Sequence, residues 1–96
     1  MKEVRLTPAA LADVAGIRRY TRREWGVDQA NAYLGGLGER FREIAAGEGV
    51  ARQQLGYAYA RYRSQVIFFR APDDHVRIVR VIHDRMDVPS HLQQDS

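Results

Sequence analysis

The 96-residue sequence contains no cysteine, which excludes disulfides, thiolate metal sites and a cysteine nucleophile. It is nearly empty of lysine as well: of its 15 basic residues, 14 are arginine and only Lys2 is not. Arginine suits bidentate pairing with carboxylates and phosphates, so the basic surface is shaped for partners of that kind. No apolar run approaches the roughly 20 residues that span a bilayer. The opening MKEVRLTPAAL also lacks the apolar core, about 7 to 15 residues long, of a secretory signal. A cytoplasmic protein with no membrane partner is expected. Repeats, low-complexity blocks and linkers are missing too, so residues 1–96 read as one domain, with 93–96 as a poorly ordered tail.

What is present is a globular balance of 45% hydrophobic and 28% charged residues. A chain of this length buries about 60 to 65% of its unfolded surface around one core, which leaves no room for a second layer of helices. Val4 to Leu6 reads as a short strand. Thr7-Pro8 then reads as an N-cap followed by proline at the first helical position. Leu11, Val14, Ile17, Thr21 and Trp25 continue with helical spacing to a stop at Gly26. Asp28 is placed to cap a second helix with an apolar stripe of Ala30, Tyr33, Leu34, Leu37, Phe41, Ile44 and Ala45. So short a connection makes the two helices antiparallel neighbours. Gly35 and Gly36 fall on the outer side, and Gly38, beside the stripe, would let the helices approach closely.

Beyond Gly49 the period changes to that of strands: Tyr57 to Tyr62, Gln65 to Arg70 and Val76 to His83, the last two joined by a turn at Pro72-Asp73-Asp74. The fold class is therefore α+β, an N-terminal strand and a helical hairpin packed on a three- to four-stranded antiparallel sheet. Strict alternation puts Val76, Ile78, Arg80 and Ile82 on one face and Arg77, Val79, Val81 and His83 on the other. Both faces of this strand carry aliphatics, and both faces of QVIFFR are apolar. One hairpin covers one face, so the other exposes a patch of a few hundred Å² that calls for a dedicated partner, unless the C-terminal segment or a second copy of the chain covers it.

Four blocks carry a family resemblance: LTP at Leu6 with the spaced residues to Tyr20, W-G-x-x-Q-A-x-x-Y from Trp25 to Tyr33, VIFFR from Val66 to Arg70, and IVRVIHDRMD from Ile78 to Asp87. In this order and spacing the chain resembles the ParE toxins of the RelE/ParE toxin–antitoxin superfamily. The resemblance implies the fold just derived, a ParD-type antitoxin with an acidic amphipathic segment, and DNA gyrase as the target inhibited by binding. For the antitoxin, the second sheet face offers Phe68 or Phe69 as an anchor, with Arg52, Arg61, Arg63, Arg70, Arg77 and Arg80 available for carboxylates. The segment from Gly49 to Pro72 holds four arginines and no acid. For the target, the end of the last strand is the candidate: His83, Arg85, Met86 and Asp87.

The alternatives are a RelE-like ribosome-dependent mRNA endonuclease and an inactive relative. The nuclease chemistry needs a base for the 2′-hydroxyl and an acid for the leaving oxygen, and Pro89 stands where such relatives place a tyrosine. Proline transfers no proton. His75, His83 and His91 are eight residues apart, a spacing that suits no metal pair, and read as surface histidines. No cofactor, no metal and no sequence-specific nucleic-acid contact is expected. Trp25, Tyr20 and Tyr33 suggest base stacking, but their helical spacing makes packing between the two helices the preferred reading.

Overall fold

The computed structural model describes residues 2–47, 52–54, 56–72 and 74–85. Strand β1 (Glu3–Leu6) leads into helix α1 (Pro8–Trp25). Thr7 caps it as the sequence predicts: its backbone is extended and its Oγ1 accepts the Ala10 N–H at 3.1 Å. Gly26 ends α1, its N–H donating to the Arg22 carbonyl at 3.0 Å. Its φ of 89°, accessible to glycine, lets α2 (Val27–Ala45) start at the very next residue. Asp28 is therefore not the cap. The reversal at Gly26 starts the helix earlier and leaves Asp28 in the first turn, where its charge favours the helix dipole.

Four more strands follow: β2 (Arg52–Gln54), β3 (Tyr57–Tyr62), β4 (Gln65–Arg70) and β5 (His75–His83). The sheet has five strands in the order β1-β5-β4-β3-β2. It is mixed, because β1 runs parallel to β5, Val4 opposite Val76 and Leu6 opposite Ile78. The antiparallel expectation followed from hairpins, and no hairpin joins strands some 70 residues apart in sequence. β2, the three residues RQQ, pairs antiparallel with β3; polar and short, it carries no period from which to be read.

β5 departs from strict alternation. Its register against β4 jumps from Phe68 opposite Arg80 to Phe69 opposite Ile78, which leaves Val79 as the extra residue of a β-bulge. The phase of the strand inverts there. Val76, Ile78 and Val81 join the helix-side core, while Val79 and Ile82 join the cluster on the other face. β1 ends opposite Ile78, and from there α1 and its cap take up backbone groups of β5. The Thr7 hydroxyl donates to the Val79 carbonyl at 2.7 Å, and the Asp13 carboxylate accepts the Val81 N–H at 2.9 Å. Asp13 accepts from Arg80 too, at 2.7 Å from Nε and 2.9 Å from Nη2. The cap and second turn of α1 are thereby docked on the irregular point of the central strand.

The helix-side core is built from Leu37, Phe41 and Ile44 of α2 over Ile67, Phe69, Ile78 and Val81. The other face holds Tyr57, Val66, Phe68, Val79 and Ile82, with Tyr59 packed beside Phe68 at a centroid distance of 5.8 Å. The expected open patch is not found here, since Phe68 and Phe69 are 0% and 6% exposed within the single chain. The large apolar groups that do reach solvent are on the helices instead: Leu11, Tyr20, Trp25 and Val27. His75, read as a surface histidine, is buried; its Nδ1 lies 2.7 Å from Asp74 Oδ1, and the contact holds the Asp74 carboxyl below its usual range.

Gly36 does not face outward. A Cβ there would overlap the Tyr62 hydroxyl and come within 3.0 Å of its Cζ. That hydroxyl donates to the Tyr33 carbonyl at 2.9 Å, so Gly36 is the gap through which a β3 ring reaches the α2 backbone. Gly38, by contrast, would meet only the tip of Arg42. Gly36→Ala is accordingly expected to cost about 1 to 3 kcal/mol by overpacking, whereas Gly38→Ala should stabilise by up to about 1 kcal/mol through helix propensity. Urea-denaturation midpoints of the two variants, moving in opposite directions, check the contrast.

Candidate functional site

Three neighbourhoods hold the chemistry-bearing side chains. At the end of β5, the Nδ1 of His83 lies 3.1 Å from the Arg85 backbone N and 3.3 Å from Asp84 Oδ1, which orients the ring on the turn. The Asp84 N–H donates to the Ser64 carbonyl at 2.9 Å and its Oδ2 lies 3.4 Å from Arg61 Nη1, tying this strand end to the β3–β4 turn. Arg85 is exposed there. Met86 and Asp87, named with it from the sequence, lie outside the described residues, as do Pro89 and the tail.

On the sheet face away from the helices, Arg5, Arg77 and Arg70 stand opposite one another across β1, β5 and β4. All three are exposed. Arg5 is paired with Glu3 at 3.1 Å, and Arg70 lies 4.4 Å above the Tyr57 ring, which holds its guanidinium flat at the edge of the Phe68 cluster. Arg80 does not join them. Its side chain is 11% exposed and bound to Asp13 of α1, so it is committed within the chain. Phe69 belongs to the helix-side core, which leaves Phe68 as the aromatic of the far face. Arg52 is placed in β2 by backbone pairing with Tyr59.

The third neighbourhood is a groove of about 1060 Å³ between α1, the first turns of α2 and the β3–β4 turn. Its wall is a chain of rings: Tyr20 to Trp25 at 6.1 Å, Trp25 to Tyr33 at 6.3 Å, and Tyr33 to Tyr62 at 5.2 Å between centroids. Trp25 packs between the helices against Tyr33, yet Tyr20 and Trp25 are 51% and 52% exposed, so half of each ring surface still faces the groove. Helical spacing identifies the face of α1 that points inward but not where along that face burial ends, and for that reason the sequence misses the exposed half of both rings. Arg63 lies over Tyr33 and Tyr62 at 5.8 and 5.7 Å, its Nε donating to the Tyr62 hydroxyl at 3.4 Å. This hydroxyl holds the guanidinium still more firmly protonated. Among the described non-glycine residues Arg63 alone has positive φ, 53°, at the first position of a two-residue hairpin turn where glycine is the default. The strain, about 1 to 2 kcal/mol for a side chain in this region, keeps an arginine at the mouth of the groove. His83 lines the opposite side.

Comparison with known proteins places these features in context. Residues 4–88 match the family described as the ParE toxin of the type II toxin–antitoxin system parDE. The sequence is 35% identical over 92 residues to Toxin ParE of Escherichia coli, covering 91% of this chain and 89% of that protein. It is 34% identical over 96 residues to Toxin ParE1 of Caulobacter vibrioides, covering 96% and 99%. A solved structure titled as the chromosomal ParDE TA system from P. aeruginosa superposes with a TM-score of 0.70 over 86% of this chain and 96% of that one; at 20% identity the likeness is one of fold.

Proposed function

The chain belongs to the ParE toxin family of type II toxin–antitoxin systems, and from that premise we propose that it inhibits DNA gyrase by binding and is neutralised by an acidic ParD-type antitoxin in the cytoplasm. The observation that carries the binding reading is the β5 end, where His83 and Arg85 are presented on a turn anchored to Ser64 and Arg61. Such an anchored tip offers a charged fork and a hydrogen-bond donor to a protein surface without needing to move. The nuclease alternative lacks the tyrosine of its relatives at the acid position, since Pro89 transfers no proton. No helix among the described residues is long and apolar enough to cross a membrane.

The test is a supercoiling assay with purified protein. Inhibition of gyrase is expected, and Arg85→Glu should abolish it while leaving stability within about 0.5 kcal/mol, as for a surface site. Codon-positioned cuts in ribosome-bound messages, with gyrase unaffected, would make the ribonuclease reading the right one.

For the antitoxin, Arg70 and Arg77 on the far face are accessible, with Phe68 beneath them, as are Arg61 and Arg63. Charge reversal of Arg70 and Arg77 together is expected to weaken capture of an acidic antitoxin segment by about 100-fold, on the order of 3 kcal/mol for two charge-assisted contacts. Isothermal titration against the cognate antitoxin checks this, and an unchanged Kd would move the interface elsewhere.

A further inference from the structure

We propose that the groove between α1 and the β3–β4 turn binds single-stranded nucleic acid, with bases stacked on Trp25 and Tyr20 and phosphates held by Arg19, Arg23 and Arg63. The reading rests on Tyr20, Trp25, Arg19 and Arg23, which the toxin–antitoxin and gyrase roles leave unused, together with Arg63 across the groove. Tyr20 and Trp25, 51% and 52% exposed in a concave site and 6.1 Å apart edge to face, leave ring surface on which a base can stack. Among the described residues no cation covers the Trp25 ring, so its face is open to a ligand. Cations line both rims. Arg23 lies 5.7 Å over Tyr20, the Arg19 guanidinium comes within 3.8 Å of where a Cβ on Gly16 would sit, and Arg63 lies across the groove over Tyr33.

The one acid among the lining residues, Asp13, is already paired with Arg80 and the Val81 N–H, so it does not oppose an anion there. The remaining lining groups favour a nucleic acid over an acidic amphipathic helix. Gln29, Ser64, Gln65 and His83 present hydrogen-bonding edges at base height, while the aliphatic anchor points that a helix needs are reduced to Ile17 and Val81. Paired strands would not fit the scheme, since their bases are stacked on one another and present no free face. The contacts are to rings and phosphates, so little sequence preference is expected. The backbone strain at Arg63 is consistent with this use, because glycine would relieve it and remove the cation.

Trp25 is the only tryptophan in the chain, so its fluorescence reports on this groove directly. Titrating the full chain with an oligothymidylate of about ten nucleotides, a length within the usual site sizes of such platforms, should give saturable quenching. The apparent affinity should fall with salt with a slope of about −2 in log–log terms, as for three phosphates on a single strand. An oligouridylate of the same length shows whether the physiological strand is DNA or RNA. Arg63→Gly is expected to weaken binding by about tenfold or more with the melting temperature unchanged or raised, and Arg19→Glu with Arg23→Glu to do the same through the other rim. Absence of quenching would overturn the proposal. So would quenching indifferent to salt and to all three arginines, an equal response to duplex DNA, or equal quenching by polyglutamate, which would mark the groove as a surface for acidic peptides.

Discussion

Asp13→Ala is expected to destabilise the protein by about 3 to 5 kcal/mol, the range for breaking one side of a buried ion pair. The carboxylate accepts three hydrogen bonds, two from Arg80 and one from the Val81 backbone, and both charged side chains are largely buried, at 15% and 11% exposure. Its removal takes one carboxylate from a largely buried guanidinium and strands the Val81 N–H. Neither group can turn to water without moving α1. Replacing both partners with apolar residues, Asp13→Leu with Arg80→Met, should recover most of the loss, because the desolvation of two charges is removed together with their attraction. Urea denaturation of the three variants is the measurement. A single variant within 1 kcal/mol of the parent would mean that the pair does not fasten α1 to the sheet.

The second large effect concerns neighbouring phenylalanines. Phe69→Ala and Phe68→Ala should each cost about 3 to 5 kcal/mol, the cost of a cavity left by a buried aromatic, although the two rings lie in different clusters on opposite faces of β4. From the sequence only the ring under the helices would be expected to matter for stability, the other serving a partner. The structure buries Phe68 at 0% exposure, against Tyr59 on one side. If Phe68→Ala left the melting temperature of the isolated chain unchanged and weakened only an antitoxin complex, the far face would be a docking surface and not a second core.

The parts of this fold legible in the sequence are those in which a local rule has one solution. Thr7-Pro8 caps a helix start, Gly26 at positive φ reverses the chain, and the Gln65 to Arg70 and His75 to His83 strands pair because a short turn joins them. What was not legible depends on contacts between distant segments. The parallel pairing of β1 with β5 has no local signature. The bulge at Val79 inverts the alternation of VRIVRVIH, so the aliphatics that strict alternation puts on the wrong faces are correctly placed once a single residue is extra. The bulge becomes visible only in the register of β5 against β4. For the candidate sites, the strand-end His83 and Arg85 and the exposed Arg70 and Arg77 were identifiable from charge and position. The aromatic groove was not, because the period that identifies Trp25 as inward-facing says nothing about what lies opposite the last turn of a helix.

The pairing of the first strand with the last has a temporal meaning. Every bond that β1 makes within the sheet is to β5, and α1 is fastened to that same strand through Thr7 and Asp13. During synthesis the N-terminal segment therefore waits for its partner while about 70 residues are added, roughly 4 to 14 s at ordinary elongation rates. Throughout that interval the chain has neither a completed sheet nor the strand end bearing His83 and Arg85. An architecture that closes only with its last strand acquires the His83 and Arg85 end and the Arg70 and Arg77 row together, when that strand is in place.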